Sequence, residues 1–227
     1  MNRSVVIVTL LATLSVTPII GRSEPKDDLV KMFTETKVKA EAGDVDAQYI
    51  LAGLYSYGKG TAANQVEAVM WYRRVAAQND ARGQSMLGVV YTNARGVERD
   101  YDQAIVWFRK AAAQNSAHAK YNLGYMYAVG KGVDSDQVQA TTWYRQAAEL
   151  NDAGSQRILG GRYATGRGMD KDLVQAYAWT QVVLPRGGAA AKKQLLTIQS
   201  QMTPDQIVAA KKSAKEISAR LAKLGEK

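Results

Sequence analysis

Cysteine is absent from this 227-residue sequence, which excludes disulfides, thiol nucleophiles, iron–sulfur clusters and cysteine zinc sites together. Histidine occurs once, as His118, so a multi-histidine metal centre is impossible and only one imidazole base is on hand. Proline is scarce, at four residues, and no proline-rich or low-complexity stretch interrupts the chain. What remains is 46% hydrophobic and 22% charged, the balance of a folded globular chain. Its length allows one or two domains. Long apolar runs are confined to the beginning. Arg3, the apolar stretch Val5 to Val16, the break at Pro18 and the small residues Gly21 and Ser23 read as a secretory signal over residues 1–23, cleaved after Gly21 or Ser23. The competing reading is an uncleaved anchor, since Ser4 to Gly21 carries no charge, and Pro18 argues against it. The expectation is export to a bacterial periplasm, where a chain without disulfides relies on packing alone.

Within the mature region a 36-residue period dominates, without insertion or deletion. Tyr55, Tyr91, Tyr127 and Tyr163 keep this step, as do Trp71, Trp107, Trp143 and Trp179. Gly60, Gly96, Gly132 and Gly168 form a third column, Ala68, Ala104, Ala140 and Ala176 a fourth, and Leu51, Leu87, Leu123 and Leu159 a fifth. A period of this length signifies a stacked array of helical hairpins.

Each unit reads as two helices. Ala47, Leu51, Leu54 and Tyr55 recur on one helical face. A Gly-x-Gly turn follows in Gly58 to Gly60, Gly130 to Gly132 and Gly166 to Gly168, with Ala94-Arg95-Gly96 as the variant. Asn64, Asp100, Asp136 and Asp172 stand where a side-chain oxygen caps the second helix. That helix presents Ala68, Trp71, Tyr72, Val75 and Ala76, and ends at Asn79, Asn115 or Asn151, suited to a left-handed cap. Gly43 and Gly187 extend the column of caps in both directions. The boundaries are therefore a half-repeat over 24–45, four repeats over 46–188, and a half-repeat with a basic capping helix over 189–227. Pro185 and Arg186 are expected to cut short the last second helix. Thr203-Pro204-Asp205-Gln206 is a capping box, from which Ile207, Ala210, Ala214, Ile217, Leu221 and Leu224 form an amphipathic face closing the stack.

These columns resemble the Sel-one-like repeat (SLR) family of tetratricopeptide-type solenoids. The second unit carries the resemblance through Leu87-Gly88, Tyr91, Ala94-Arg95-Gly96-Val97, Asp100, Ala104, Trp107-Phe108 and Ala111-Ala112. The third does so through Leu123-Gly124, Tyr127, Gly130-Lys131-Gly132-Val133, Asp136, Ala140, Trp143-Tyr144 and Ala147-Ala148. Ala52, Thr61 and Asn64 depart from the pattern in the first unit. The resemblance covers about residues 26 to 225 and implies an all-α, right-handed α/α solenoid of helical hairpins. It also implies a protein-binding scaffold, often an envelope adaptor in bacteria, with no shared catalytic residues.

Candidate chemistry is thin. The Gly-x-Gly turns lack the spacing and preceding strand of a phosphate or dinucleotide loop. Asp134, Asp136, Asp170 and Asp172 lack the further oxygens of a calcium loop. His118 has no spacing to a nucleophile or an orienting acid. The aromatic column, with Tyr72, Phe108 and Tyr144 beside the tryptophans, reads as inter-repeat core, flanked by alanines that let helices approach. Trp107→Ala is thus expected to destabilise far more than Tyr49→Ala.

Binding residues are sought where the array varies. Tyr49, Ser85, Tyr121 and Arg157 form one irregular column of the first helices, and Gly53, Val89, Tyr125 and Gly161 another. Arg162 stands where Leu54, Val90 and Met126 are apolar. First helices line the concave side in solenoids of this class, so Tyr49, Tyr121, Tyr125, Arg157 and Arg162 are the candidate partner-binding residues. Ordinary solvated variation is the alternative for each. From Arg186 onward nine lysines and arginines face three acids, so the high pI belongs to the C-terminal cap and the body is near neutral. The expected function is a non-enzymatic adaptor binding a protein or peptide in the groove, without cofactor, metal or nucleic acid. The alternative is an envelope module binding cell-wall polymer or anionic lipid through the basic cap. A hydrolase is disfavoured for want of a nucleophile–base pair.

Overall fold

The computed structural model describes residues 26–224, so the expected signal over 1–23 lies outside the described residues. Among the described residues there are ten helices and no strand. In chain order they are α1 (Lys26–Glu41), α2 (Val45–Tyr57), α3 (Gln65–Ala77), α4 (Ala81–Asn93), α5 (Tyr101–Ala113), α6 (Ala117–Val129), α7 (Gln137–Glu149), α8 (Ala153–Thr165), α9 (Leu173–Gln199) and α10 (Pro204–Ala222). The chain divides into two compact units, Met1–Trp107 and Phe108–Lys227. In the first, α1 packs on α2, α2 on α3 and α3 on α4; in the second, consecutive helices from α6 to α10 pack in the same way.

The turn chemistry follows the sequence columns closely. Asn64, Asp100, Asp136 and Asp172 each accept a backbone N–H of the following helix, from Glu67, Gln103, Gln139 and Gln175. Asp44, Asp80, Ser116 and Asp152 do the same for the first helices, a second column of caps that sequence reading passed over. Asn79, Asn115 and Asn151 have φ of 59°, 61° and 67°, the left-handed conformation that asparagine tolerates. Buried polar residues fasten these turns: Gln84, Lys120 and Gln156 each donate to the asparagine five residues before them.

Ala94 adopts φ 55° where Gly58, Gly130 and Gly166 stand at 64°, 70° and 72°. A Cβ in this region costs about 1–2 kcal/mol, and a glycine returns part of that as unfolded-state entropy. Ala94→Gly is therefore expected to stabilise the protein by about 0.5–1 kcal/mol, read as a raised midpoint in chemical denaturation.

The core is one apolar residue per column. Leu51, Leu87, Leu123 and Leu159 are fully buried, as are Ala104, Ala140 and Ala176. The aromatic column is less uniform than expected. Trp71 and Trp179 are buried, whereas Trp107 and Trp143 are only half-buried. The residue one further on is sealed throughout, as Tyr72, Phe108, Tyr144 and Thr180.

Two expectations about the last repeat are corrected. Pro185 does not end the second helix; α9 runs through it and breaks at Gly188, with φ 56° and ψ −149°. A proline forfeits one amide bond but leaves the last turn of a helix standing, and the glycine-only conformation supplies the break. Hence the left-handed position falls on Gly188, one residue beyond Gly187. After it, Ala191 and Leu195 are buried as their columns require. The capping box at Thr203 and Gln206 forms in both directions, and α10 buries Ala210, Ala214, Ile217 and Leu221. Leu224 lies past the helix end and is exposed.

Candidate functional site

On α6, Tyr125 is followed by Ala128 and Val129, and on α8 Ile158 is followed by Gly161, Arg162 and Thr165. Spacings of three and four put each set on one helical face. These two faces, with Tyr144 of α7 below and Arg167 of the following turn beside them, enclose a recess of about 360 Å³ within the C-terminal unit. Gly161 lines it without a side chain, and a Cβ there would make an ordinary contact with the Gln194 amide at 3.6 Å.

Arg162 is the unusual wall. It is 5% exposed, yet no carboxylate among the described residues pairs with it. Its Nη1 donates to the Gln137 carbonyl at 3.2 Å, to Thr141 Oγ1 at 2.9 Å and to the Arg167 carbonyl at 3.3 Å, and Nη2 donates to Gln137 Oε1 at 3.3 Å. The guanidinium carbon lies 5.1 Å from the Tyr144 ring centroid, within the range of a cation–π contact. Burial lowers its pKa most; the Tyr144 phenol opposes that and Arg167 adds to it. An arginine starts so high that it stays charged. The Tyr144 phenol is pushed up to about 12, chiefly by burial. Tyr125 stands at the mouth, 36% exposed, with Lys131 Nζ donating to its hydroxyl at 3.2 Å.

A model of the Sel1 repeat matches residues 45–80, 81–116, 117–152 and 153–181. The chain belongs to the Sel1 repeat family. Proteins of this family generally work through protein–protein interaction. Among solved structures, a protective antigen of uropathogenic Escherichia coli displaying an SLR fold, c5321, is 32% identical with a TM-score of 0.77. The alignment covers 99% of this chain and 48% of that one, so the chain spans about half of its length. A Sel1 repeat protein from Oxalobacter formigenes is 24% identical, with a TM-score of 0.69 over 95% of this chain and 83% of that one. The immunity protein Pa5087 of Pseudomonas aeruginosa is 20% identical, with a TM-score of 0.59, 99% and 83% covered. These last two share the fold. No curated protein matches the sequence.

The five candidate residues part company in this Sel1 array. Tyr125 and Arg162 meet at the recess. Tyr121 is half-buried beside it, its ring edge-on to Tyr144 at 5.8 Å. Arg157 is exposed and its guanidinium has no partner among the described residues; only its carbonyl is engaged, accepting from Gln194. Tyr49 belongs to the other unit, half-buried between the Tyr72 ring at 6.0 Å and the Arg82 guanidinium at 5.2 Å. Arg82 in turn bridges Asp46 at 2.7 Å and Asp80 at 2.6 Å, tying α2 to α4. Sequence reading missed Thr141, Gln137 and Arg167. The signal for Thr141 was present: in the third repeat it replaces the Val69 and Ile105 of an apolar column, as Arg162 in the fourth replaces Leu54, Val90 and Met126.

Elsewhere the candidates have structural duties. Asp136 and Asp172 are helix caps, and His118 is exposed. Among the described residues no group of three or more His, Asp or Glu could hold a metal ion, and no helix is long and apolar enough to cross a membrane. A second recess of about 530 Å³ lies between α9 and α10, with Tyr177, Val182 and Pro185 on one wall and Lys211 and Lys215 on the other.

Proposed function

We propose that this Sel1 repeat protein is an exported, non-enzymatic adaptor that holds a protein or peptide partner against the first-helix face of its array. The observation that supports it most is the recess between α6 and α8, because it gathers Tyr125, Gly161 and Arg162 from columns that vary, beside Tyr144 and Arg167 from columns the repeats share. A tyrosine at the mouth and an arginine in the wall are the side chains in which interface energy concentrates. The test is site-specific photo-cross-linking in intact cells. A photoreactive residue at Tyr125 is expected to yield a discrete cross-linked polypeptide, and one at Arg157, outside the recess, a weaker product. Tyr125→Ala is expected to lower partner capture at least about tenfold while leaving the melting temperature within a degree or two, as an exposed substitution does. Tyr121→Ala is a poorer probe, because it removes the contact with Tyr144 as well.

The second reading, attachment to anionic lipid or cell-wall polymer through the basic cap, has its own support in the lysine-walled recess between α9 and α10. Lys211→Glu with Lys212→Glu separates the two. Partner capture unchanged and lipid co-sedimentation lost would assign only the envelope contact to the cap. Capture lost with the lysines and intact in Tyr125→Ala would move the binding surface there.

A further inference from the structure

We propose that the recess between α6 and α8 is a carboxylate site, taking an aspartate or glutamate side chain from an extended segment of the partner. The inference rests on the groove reading above and names the chemistry of its ligand. Arg162 is buried with four hydrogen bonds to neutral acceptors and pairs with no carboxylate among the described residues. A charge removed from water without a counter-charge is costly, and the other three repeats avoid the cost with leucine, valine and methionine at the same position.

Arg162 is not the sole donor to these acceptors, since the single hydroxyl proton of Thr141 is within reach of both the Gln137 and the Arg167 carbonyl. Arg167, exposed and unpaired among the described residues, adds a second positive charge at the same recess. Lys131 donates to Tyr125 at the mouth. No acidic residue lines the recess. Two arginines and two phenols lining an acid-free hollow complement an anion, and a planar guanidinium matches a carboxylate best. An aspartate or glutamate side chain brings a carboxylate to such a recess on a one- or two-carbon stem. Val129 and Ile158 at the sides favour apolar neighbours for that acid.

The experiment uses the full chain and three libraries of short random peptides on beads. One has amidated C-termini and contains Asp and Glu; its twin replaces them with Asn and Gln; the third lacks acids but has free C-termini. Wild type is expected to prefer the acidic library by about tenfold, the value of one charge-assisted pairing. Arg162→Met, which restores the apolar residue of repeat three, is expected to lose that preference with an unchanged or higher melting temperature. Arg167→Gln, at an exposed position, is expected to lose part of it without a change in melting. Gly161→Leu, which adds an apolar side chain at a lining residue where a Cβ makes only an ordinary contact with Gln194, is expected to lose capture of all libraries.

Equal capture of acidic and amide libraries, abolished by Gly161→Leu, would overturn the carboxylate assignment and leave the groove reading standing. Capture indifferent to Gly161→Leu, or no capture by wild type, would overturn both. Preference for the free C-termini would replace the side chain by a chain end. Arg162→Met that melts several degrees lower or fails to fold, together with an intact acid preference in Arg167→Gln, would make Arg162 a structural tie and overturn the proposal.

Discussion

Phe108→Ala is expected to cost about 3–5 kcal/mol, the range for deleting a fully buried aromatic ring. Phe108 has no exposed surface at all, and its column is sealed in every repeat, as Tyr72, Tyr144 and Thr180. Trp107, next to it, is half-buried. The tryptophan is the larger ring, but part of it stays in water in both folded and unfolded chains, and that part contributes nothing to stability. The expected order in urea denaturation is thus Phe108→Ala, then Trp107→Ala, with Tyr49→Ala close behind the tryptophan. Tyr49 is no inert surface residue: its ring lies between Tyr72 and Arg82, and both contacts vanish with it. A Trp107→Ala loss exceeding that of Phe108→Ala would mean that the outer ring, not the inner one, is the keystone of the array.

That ordering shows where a repeat is legible and where it is not. Columns state what every unit must do identically, so the leucines, the left-handed asparagines and the second-helix caps could be placed from spacing alone. Adjacent columns are harder. Trp107 and Phe108 differ by about 100° around the helix, and both carry rings, so periodicity does not say which points inward; the tryptophan attracted attention by its rarity. Terminal repeats are harder still, because their neighbours differ. The break at Gly188 rather than at Pro185 or Gly187 reflects the last hairpin answering to α10 instead of to another repeat. The recess was half legible. Arg162 in an apolar column was visible, but an apolar column is a buried one, and the consequence that the charge would lie inside and need polar company required pairing it with Thr141. Arg167 was hidden by its duty in a turn that four units share.

Gly168→Ala is expected to be the most damaging single methyl in the C-terminal unit, costing about 2–5 kcal/mol from left-handed strain together with overpacking. Gly168 has φ 70°, and a Cβ there would fall on the carbonyl of Gln137, the first residue of α7. Gly60 and Gly96 make the same approach to Leu29 and Gln65, each 31 residues back, so close backbone contact is what this column exists for. Gly166→Ala is the matched control in the same turn. Its φ is 72°, but the added Cβ would stand 3.4 Å from the Lys171 nitrogen and the Met169 carbonyl, distances a small shift relieves. Ala94 already occupies that column in the second repeat. Gly166→Ala is therefore expected to cost only about 0.5–1 kcal/mol, the reverse of Ala94→Gly in the same column. Equal losses for the two variants would mean that left-handed strain alone decides and that the approach of turn to helix is incidental. The site is coupled to the same contact. The Gln137 carbonyl that blocks a Cβ at Gly168 is an acceptor for Arg162, and Thr141 Oγ1, 2.8 Å from that Cβ position, is another. A turn displaced by Gly168→Ala draws both acceptors out of register, so the variant is expected to lose binding at the recess even at temperatures where it remains folded, whereas Gly166→Ala retains it.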